Sequence, residues 1–148
     1  MIKRILLTTI TIVWMLFIFM SSNQKAEQST DRSHSFIMNT IVNIYKVFDS
    51  NASDEKIESI VETLDHPVRK LAHFTEYFIL GVLVFFTLRE YNIKNIYIMI
   101  AICFAYACSD EFHQLFVLGR DGNLIDVTID SIGSTFAILI FNKVKEEK

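Results

Sequence analysis

The sequence predicts an all-α protein, a four-helix transmembrane bundle with a helical extracytoplasmic segment between its first two spans. Three observations predict it. Hydrophobic residues make up 51% of the 148 residues, and mean hydropathy is +0.34, more apolar than a soluble domain of this size. Only one Pro and four Gly interrupt the chain. The apolar residues gather into four stretches, each close to the ~20 residues a spanning helix needs. Hydrocarbon offers the backbone no hydrogen-bond partners, so such stretches must be helical. They lie at roughly residues 4–22, 69–88, 94–112 and 124–142, within a single domain of 1–148.

The first stretch runs from Ile5 to Met20 behind Lys3-Arg4 and ends at Ser21-Ser22. A cleaved signal peptide has a similar layout, but this run is long for a signal core and no Ala-x-Ala pattern follows, which favours an uncleaved span. After it, residues 23–35 are polar enough for a connector. Phe36, Ile37, Thr40, Ile41, Ile44, Val47 and Phe48 then recur at helical spacing, and Ile57, Ile60, Val61 and Leu64 do so again after the helix start Ser53-Asp54-Glu55. Two amphipathic helices are therefore expected within an outer segment of about 34–65, lying on the leaflet or capping the bundle.

Lys3, Arg4, Arg89, Lys94, Lys143, Lys145 and Lys148 all fall on one side of this topology. Short segments rich in Lys and Arg resist translocation, so both termini are expected in the cytoplasm. Formal charge is then +4 inside and −7 outside, with His neutral. Net acidity gives no support for nucleic-acid binding. Cys103 and Cys108, five residues apart on span three, point in different directions; packing rather than a mutual bridge is expected of them.

Ionisable side chains inside spans are costly and face a bundle interior, a wet cavity or one another. Spans two, three and four each carry a group of them. At ~100° per residue, Arg69, His73, Glu76 and Tyr77 share one face of span two. On span three, Asp110 shares a side with Cys103, Tyr106, Ala107, Gln114 and, at its margin, His113, while Glu111 lies ~100° away. On span four, Asp126 and Asp130 line up with Gly133, Ser134 and Ala137, opposite Ile125, Ile129, Ile132, Phe136 and Ile140. Small residues permit close helix approach, so the carboxylate face should pack inward. Connectivity then carries all three groups to the outer membrane face. Glu76, Asp110, Glu111, Asp121, Asp126 and Asp130 there outnumber Arg69, Lys70 and Arg120. Some carboxylates must be solvated, protonated, paired with His73 or His113, or neutralised by a cation.

Three readings stay open. Hydrogen-bonded polar groups commonly hold helices together as a structural network. A ligand-binding or proton-transferring pocket would use His73 and Glu76 to handle protons, with Asp110, Asp126 and Asp130 orienting them, and Arg69, Lys70 and Arg120 receiving anionic groups. A divalent metal, through His73-x-x-Glu76 or Asp110-x-x-His113, is the third and is not favoured, because such pairs define a site only when several helices aim them at one point. Gly119-Arg120-Asp121-Gly122 is foremost a turn. Tyr77 and Tyr106 read as interhelical donors and Trp14 as packing. HExxH, paired CxxC, Walker and GxSxG signatures do not occur.

At these residues the chain resembles the VanZ-like family of small bacterial membrane proteins. The resemblance is carried by Arg69-Lys70-x-Ala72-His73-Phe74-x-Glu76-Tyr77, Asp110-Glu111-Phe112-His113-Gln114-x-Phe116-Val117, Gly119-Arg120-x-Gly122 and Asp126-Val127-x-Ile129-Asp130-x-x-Gly133. It covers roughly residues 5–142 and is weakest across the outer segment. Leu118 stands where the family commonly has Pro, and Ser21-Ser22-Asn23-Gln24 looks like the family's Ser-rich, Gln-containing end to span one. The resemblance implies a multi-pass protein of the bacterial cell membrane, linked through the family's namesake to resistance toward glycopeptides such as teicoplanin. It implies no settled reaction and carries these residues over only as motif positions; on the pocket reading, His73, Glu76, Asp110 and Asp130 are the hypothetical proton-handling residues. On that same reading Arg69, Lys70, Tyr77, Glu111, His113, Gln114, Arg120 and Asp126 are the ligand-binding residues. The resemblance implies no particular cofactor. The expected partners are membrane lipids and a lipid-linked or cell-wall-related molecule; a non-enzymatic scaffold is the competing class.

Overall fold

The computed structural model describes residues 1–23, 35–40, 54–117 and 122–146, the side chains of 54–56 excepted. Four long helices dominate: α1 (Ile2–Ser22), α2 (Asp54–Glu90), α3 (Ile96–Gln114) and α4 (Leu124–Glu146), and the described residues contain no strand. All four contain segments long and apolar enough to cross a membrane. That fits a multi-pass membrane protein.

The helix ends follow local chemistry. Asn92 adopts φ 63°, and the Asn92 and Ile93 amides donate to the Arg89 and Leu88 carbonyls at 3.0 Å each. This left-handed residue with paired back-bonds ends α2, and Asn tolerates that backbone region better than other non-glycine residues. Asn95 caps α3 by accepting from the Tyr97 amide at 2.9 Å, and Asn123 accepts from the Ile125 amide at 3.0 Å at the start of α4.

One expectation is corrected here. The second amphipathic helix and span two are a single helix of 37 residues, with Pro67 inside it. A proline removes one backbone bond and crowds the carbonyl four residues back, yet other contacts carry the helix through. Arg69 lies 3.9 Å from Asp65 across the proline. Val61 and Ile57 pack with Ile37, from a helical stretch at 35–40, in a small cluster that also receives Val68. At about 1.5 Å per residue α2 is about 55 Å long, against a hydrocarbon core of about 30 Å, so close to half of it exceeds a single crossing. The rest of the first expected amphipathic helix, from Ile41 on, lies outside the described residues.

The main core contains Ile18, Tyr77, Leu80, Val84, Phe85, Met99, Cys103, Ala107, Val127 and Ile138. Its tightest contact is between α2 and α4. A Cβ at Gly81 would stand 2.8 Å from Ser134 Cα, and one at Gly133 would stand 2.5 Å from the Phe74 carbonyl oxygen. Backbone meets backbone only because these positions lack side chains. Ala137 and Ser134 are also buried, while Ile125, Ile132, Phe136 and Ile140 are exposed, as the small-residue face predicts. Ile129 is half-buried. Both cysteines are free thiols.

The bundle has two unlike ends. At one, Lys3 pairs with Glu90, Thr11 and Thr87 hydroxyls meet at 2.8 Å, and Arg89 donates to Asn142 at 2.7 Å. The start of α1 and the end of α4 therefore lie at the same end of the bundle, each against the end of α2. The opposite end collects Ser22, Asp110, Gln114 and Asn123.

Candidate functional site

The polar end is built around the last turns of α3. Asp110 is 1% exposed, and its Oδ2 accepts from Ser22 Oγ at 2.8 Å, Tyr77 Oη at 3.3 Å and Gln114 Nε2 at 3.5 Å. Donors from α1, α2 and α3 thus converge on one carboxylate oxygen. The other, Oδ1, is buried with no hydrogen-bond partner among the described residues.

Glu111 is 5% exposed although it lies off the Asp110 face. It is buried all the same because the end of α3 has neighbours on two sides. Asp110 faces α1 and α2. Glu111 faces the lead-in to α4: its Oε2 accepts from the Asn123 amide at 2.9 Å, and its Oε1 accepts from Gln114 Nε2 at 3.1 Å. A Cβ at Gly122 would strike the Glu111 carbonyl oxygen at 2.6 Å. The chain entering α4 lies directly on this turn.

Asp130 comes from α4 and is fully buried. Neither of its carboxylate oxygens has a hydrogen-bond partner among the described residues. One oxygen each from Asp110, Glu111 and Asp130 lie within 4.8 Å of one another. Asp130 also lies within electrostatic reach of Asp126 and Glu76, so its charged surroundings are carboxylates. Half-buried His73 acts on Asp110 through space.

The two described cations of the motif stand at the rim. Lys70 Nζ is 3.0 Å from Asp126 Oδ1, linking α2 to α4, and Arg69 is beside Asp65. The His113 ring stacks on Phe19 at 4.3 Å and its Nε2 lies 3.3 Å from Asn23 Oδ1, which ties α3 to the end of α1 outside the carboxylate group. Tyr106 donates to the Met15 carbonyl, and Trp14 adds to its packing a bond from Nε1 to the Glu76 carbonyl at 3.0 Å. Arg120 and Asp121 lie outside the described residues.

Ser22 and Asn123 bear directly on the site; the sequence marks Ser22 only as part of the end of span one and does not single out Asn123. A Ser at a span end and an Asn before a helix read as boundary signals. Only the packing shows that each also holds a carboxylate. A groove of about 380 Å³ between α3 and α4, lined by Phe104, Thr128, Ile132 and Leu139 among others, contains none of the polar-end residues. Its apolar lining fits a surface facing acyl chains.

Three oxygens from two helices in a buried setting can hold a hard cation, share protons, or orient a polar ligand. A family model described as VanZ/LLP1 matches residues 7–145. No curated protein and no solved structure matches the chain.

Proposed function

The chain belongs to the VanZ/LLP1 family, and from that premise we propose that it is a cell-envelope membrane protein that binds an anionic lipid-linked or cell-wall-related molecule at the outer leaflet. The supporting observation is the unequal satisfaction of the polar end. Asp110 Oδ2 takes donors from three helices, whereas Asp110 Oδ1 and both oxygens of Asp130 are buried without hydrogen bonds among the described residues. A group kept only to lock helices together would have its polar atoms satisfied, because burying an unpaired carboxylate is costly. Ionisable groups retained at such cost favour a binding role.

The outward orientation follows from the Lys and Arg bias of the opposite end. In this reading Lys70 and Arg69, with Arg120 from the connecting loop, receive the anionic headgroup, and Tyr77 and Gln114 orient it. His73 and Glu76 are the groups placed to move protons if the bound molecule is altered. Reduced susceptibility to glycopeptides such as teicoplanin is the physiological setting proposed for it.

A second reading is favoured by Asp110 alone, whose converging donors resemble a structural clamp. Mass spectrometry of small molecules retained by purified protein, compared with Glu76→Gln, tests the first reading. A reproducible phosphate- or peptide-bearing amphiphile present in the native protein and depleted in the variant is expected. An identical retained set in both, with an unaltered envelope phenotype for Glu76→Gln and Asp130→Asn at matched expression, overturns it.

A further inference from the structure

We propose that Asp110, Glu111 and Asp130 together bind one hard divalent cation, of the Ca²⁺, Mn²⁺ and Mg²⁺ class. The inference rests on the reading of this end of the bundle as a binding site rather than a lock, and it names what the carboxylates hold.

Geometry is the first argument. One oxygen from each residue lies within 4.8 Å of the other two, and all three residues are buried. Three oxygens spread evenly round a Ca²⁺ ion, each about 2.3–2.6 Å from it, stand about 4.0–4.5 Å apart, so oxygens within 4.8 Å of one another can reach one such ion with a small movement of their side chains.

The second argument is independent of clustering. Asp130 is fully buried, and both its oxygens lack hydrogen-bond donors among the described residues, as does Asp110 Oδ1. These oxygens share the space with Glu111 and have no Lys or Arg bonded to them among the described residues: Lys70 is engaged with Asp126 across the α2–α4 contact. A carboxylate facing other carboxylates with no donor is the arrangement a cation completes.

The supporting contacts fit this role. Glu111 keeps lone pairs for a metal while the Asn123 amide and Gln114 amide donate to its two oxygens. The Ser22 and Tyr77 hydroxyls steady Asp110 through Oδ2, leaving Oδ1 for the ion. Such outer contacts orient ligands in metal sites generally. An oxygen-only donor set selects hard ions over Zn²⁺ or Cu²⁺. Three protein oxygens leave further coordination positions, where an anionic headgroup brought in past Lys70 would fit.

The test is Mn²⁺ binding by the full chain in detergent or nanodiscs, followed by electron paramagnetic resonance after removal of metals with a chelator. One Mn²⁺ per chain, displaced by excess Ca²⁺ or Mg²⁺, is expected. Asp130→Asn and Glu111→Gln should each weaken it at least about tenfold, whereas Lys70→Gln should not weaken it. Absence of Mn²⁺ binding to the native protein at millimolar metal overturns the proposal, as does binding unchanged in both carboxylate variants. If one variant fails to fold, the native titration and the other variant still decide. Native protein that binds Mn²⁺ but retains no amphiphile separates the cation from the functional reading and leaves the cation standing. Retention of an amphiphile that chelation does not alter, without Mn²⁺ binding, sinks the cation alone.

Discussion

Two aspartates at the polar end carry opposite energetic signs. Asp110 Oδ2 satisfies hydroxyls from Ser22 and Tyr77, so Asp110→Ala strands two buried donors and should cost about 1–3 kcal/mol. Asp130 satisfies no donor among the described residues. In metal-free detergent Asp130→Asn should therefore melt at or above the native temperature, since it removes an uncompensated buried carboxyl group while keeping the shape. The single tryptophan, Trp14, hydrogen-bonded to the Glu76 carbonyl, reports both melts by fluorescence. Asp130→Asn melting several degrees below native would show an interaction that the structure does not contain. The inward direction of Asp130 was legible in the sequence because Gly133, Ser134 and Ala137 share its helical face. Glu111 was placed among the pocket acids by its position near the end of span three, but its separate partners were not legible, because a helical wheel assigns faces and does not say how many neighbours a helix end acquires. Ser22 was hidden for another reason: a polar residue closing an apolar run has the same signature whether it meets solvent or a buried acid.

At the scale of elements, the α2–α4 contact depends on missing side chains. The Cβ of Gly81→Ala would overlap the Ser134 backbone, and that of Gly133→Ala the Phe74 carbonyl oxygen. Backbone cannot swing aside as a side chain does, so each change should force the helices apart and cost roughly 1–3 kcal/mol or more. Ala105→Leu, on the exposed side of α3, should stay within about 0.5 kcal/mol. Melting temperatures in one detergent check the contrast, and equal values for all three variants would refute the close approach. Four spans were visible from hydropathy because length and apolarity suffice for that reading. Fusion of the second outer helix with span two was not, since Asp65-His66-Pro67 reads as a break. What carries α2 through is packing of Ile57, Val61 and Val68 on the stretch at 35–40, a contact between segments distant in sequence. Pro67 then sits in a helix at a cost that tertiary contacts offset. Pro67→Ala should raise thermal stability by about 1–3 kcal/mol, short of the full propensity difference.

For the whole molecule, chemistry is segregated along the bundle axis. Lys3, Arg4, Arg89, Lys143 and Lys145 occupy the end where α1 begins and α4 finishes, whereas Asp110, Glu111, Asp126 and Asp130 belong to the other. The arrangement follows from two independent constraints. Basic flanks favour a cytoplasmic placement of their own end, and the contacts of Ser22 and Tyr77 with Asp110 bring the end of α1, the middle of α2 and the end of α3 to one level of the bundle. The proposed role requires the acidic end to face the envelope, so it depends on sidedness more than on any one residue. Single cysteines introduced at Asn23, Phe116 or Asn123, all exposed, should react with an impermeant maleimide in intact cells; those at Tyr91 or Lys145, also exposed, should react only after permeabilisation. The background carries Cys103→Ser and Cys108→Ala, because both native thiols are free. Labelling of all five positions from one side would contradict the fold. Exchange of the two sets, with the sets intact, would keep the fold and move the binding site to the cytoplasmic leaflet.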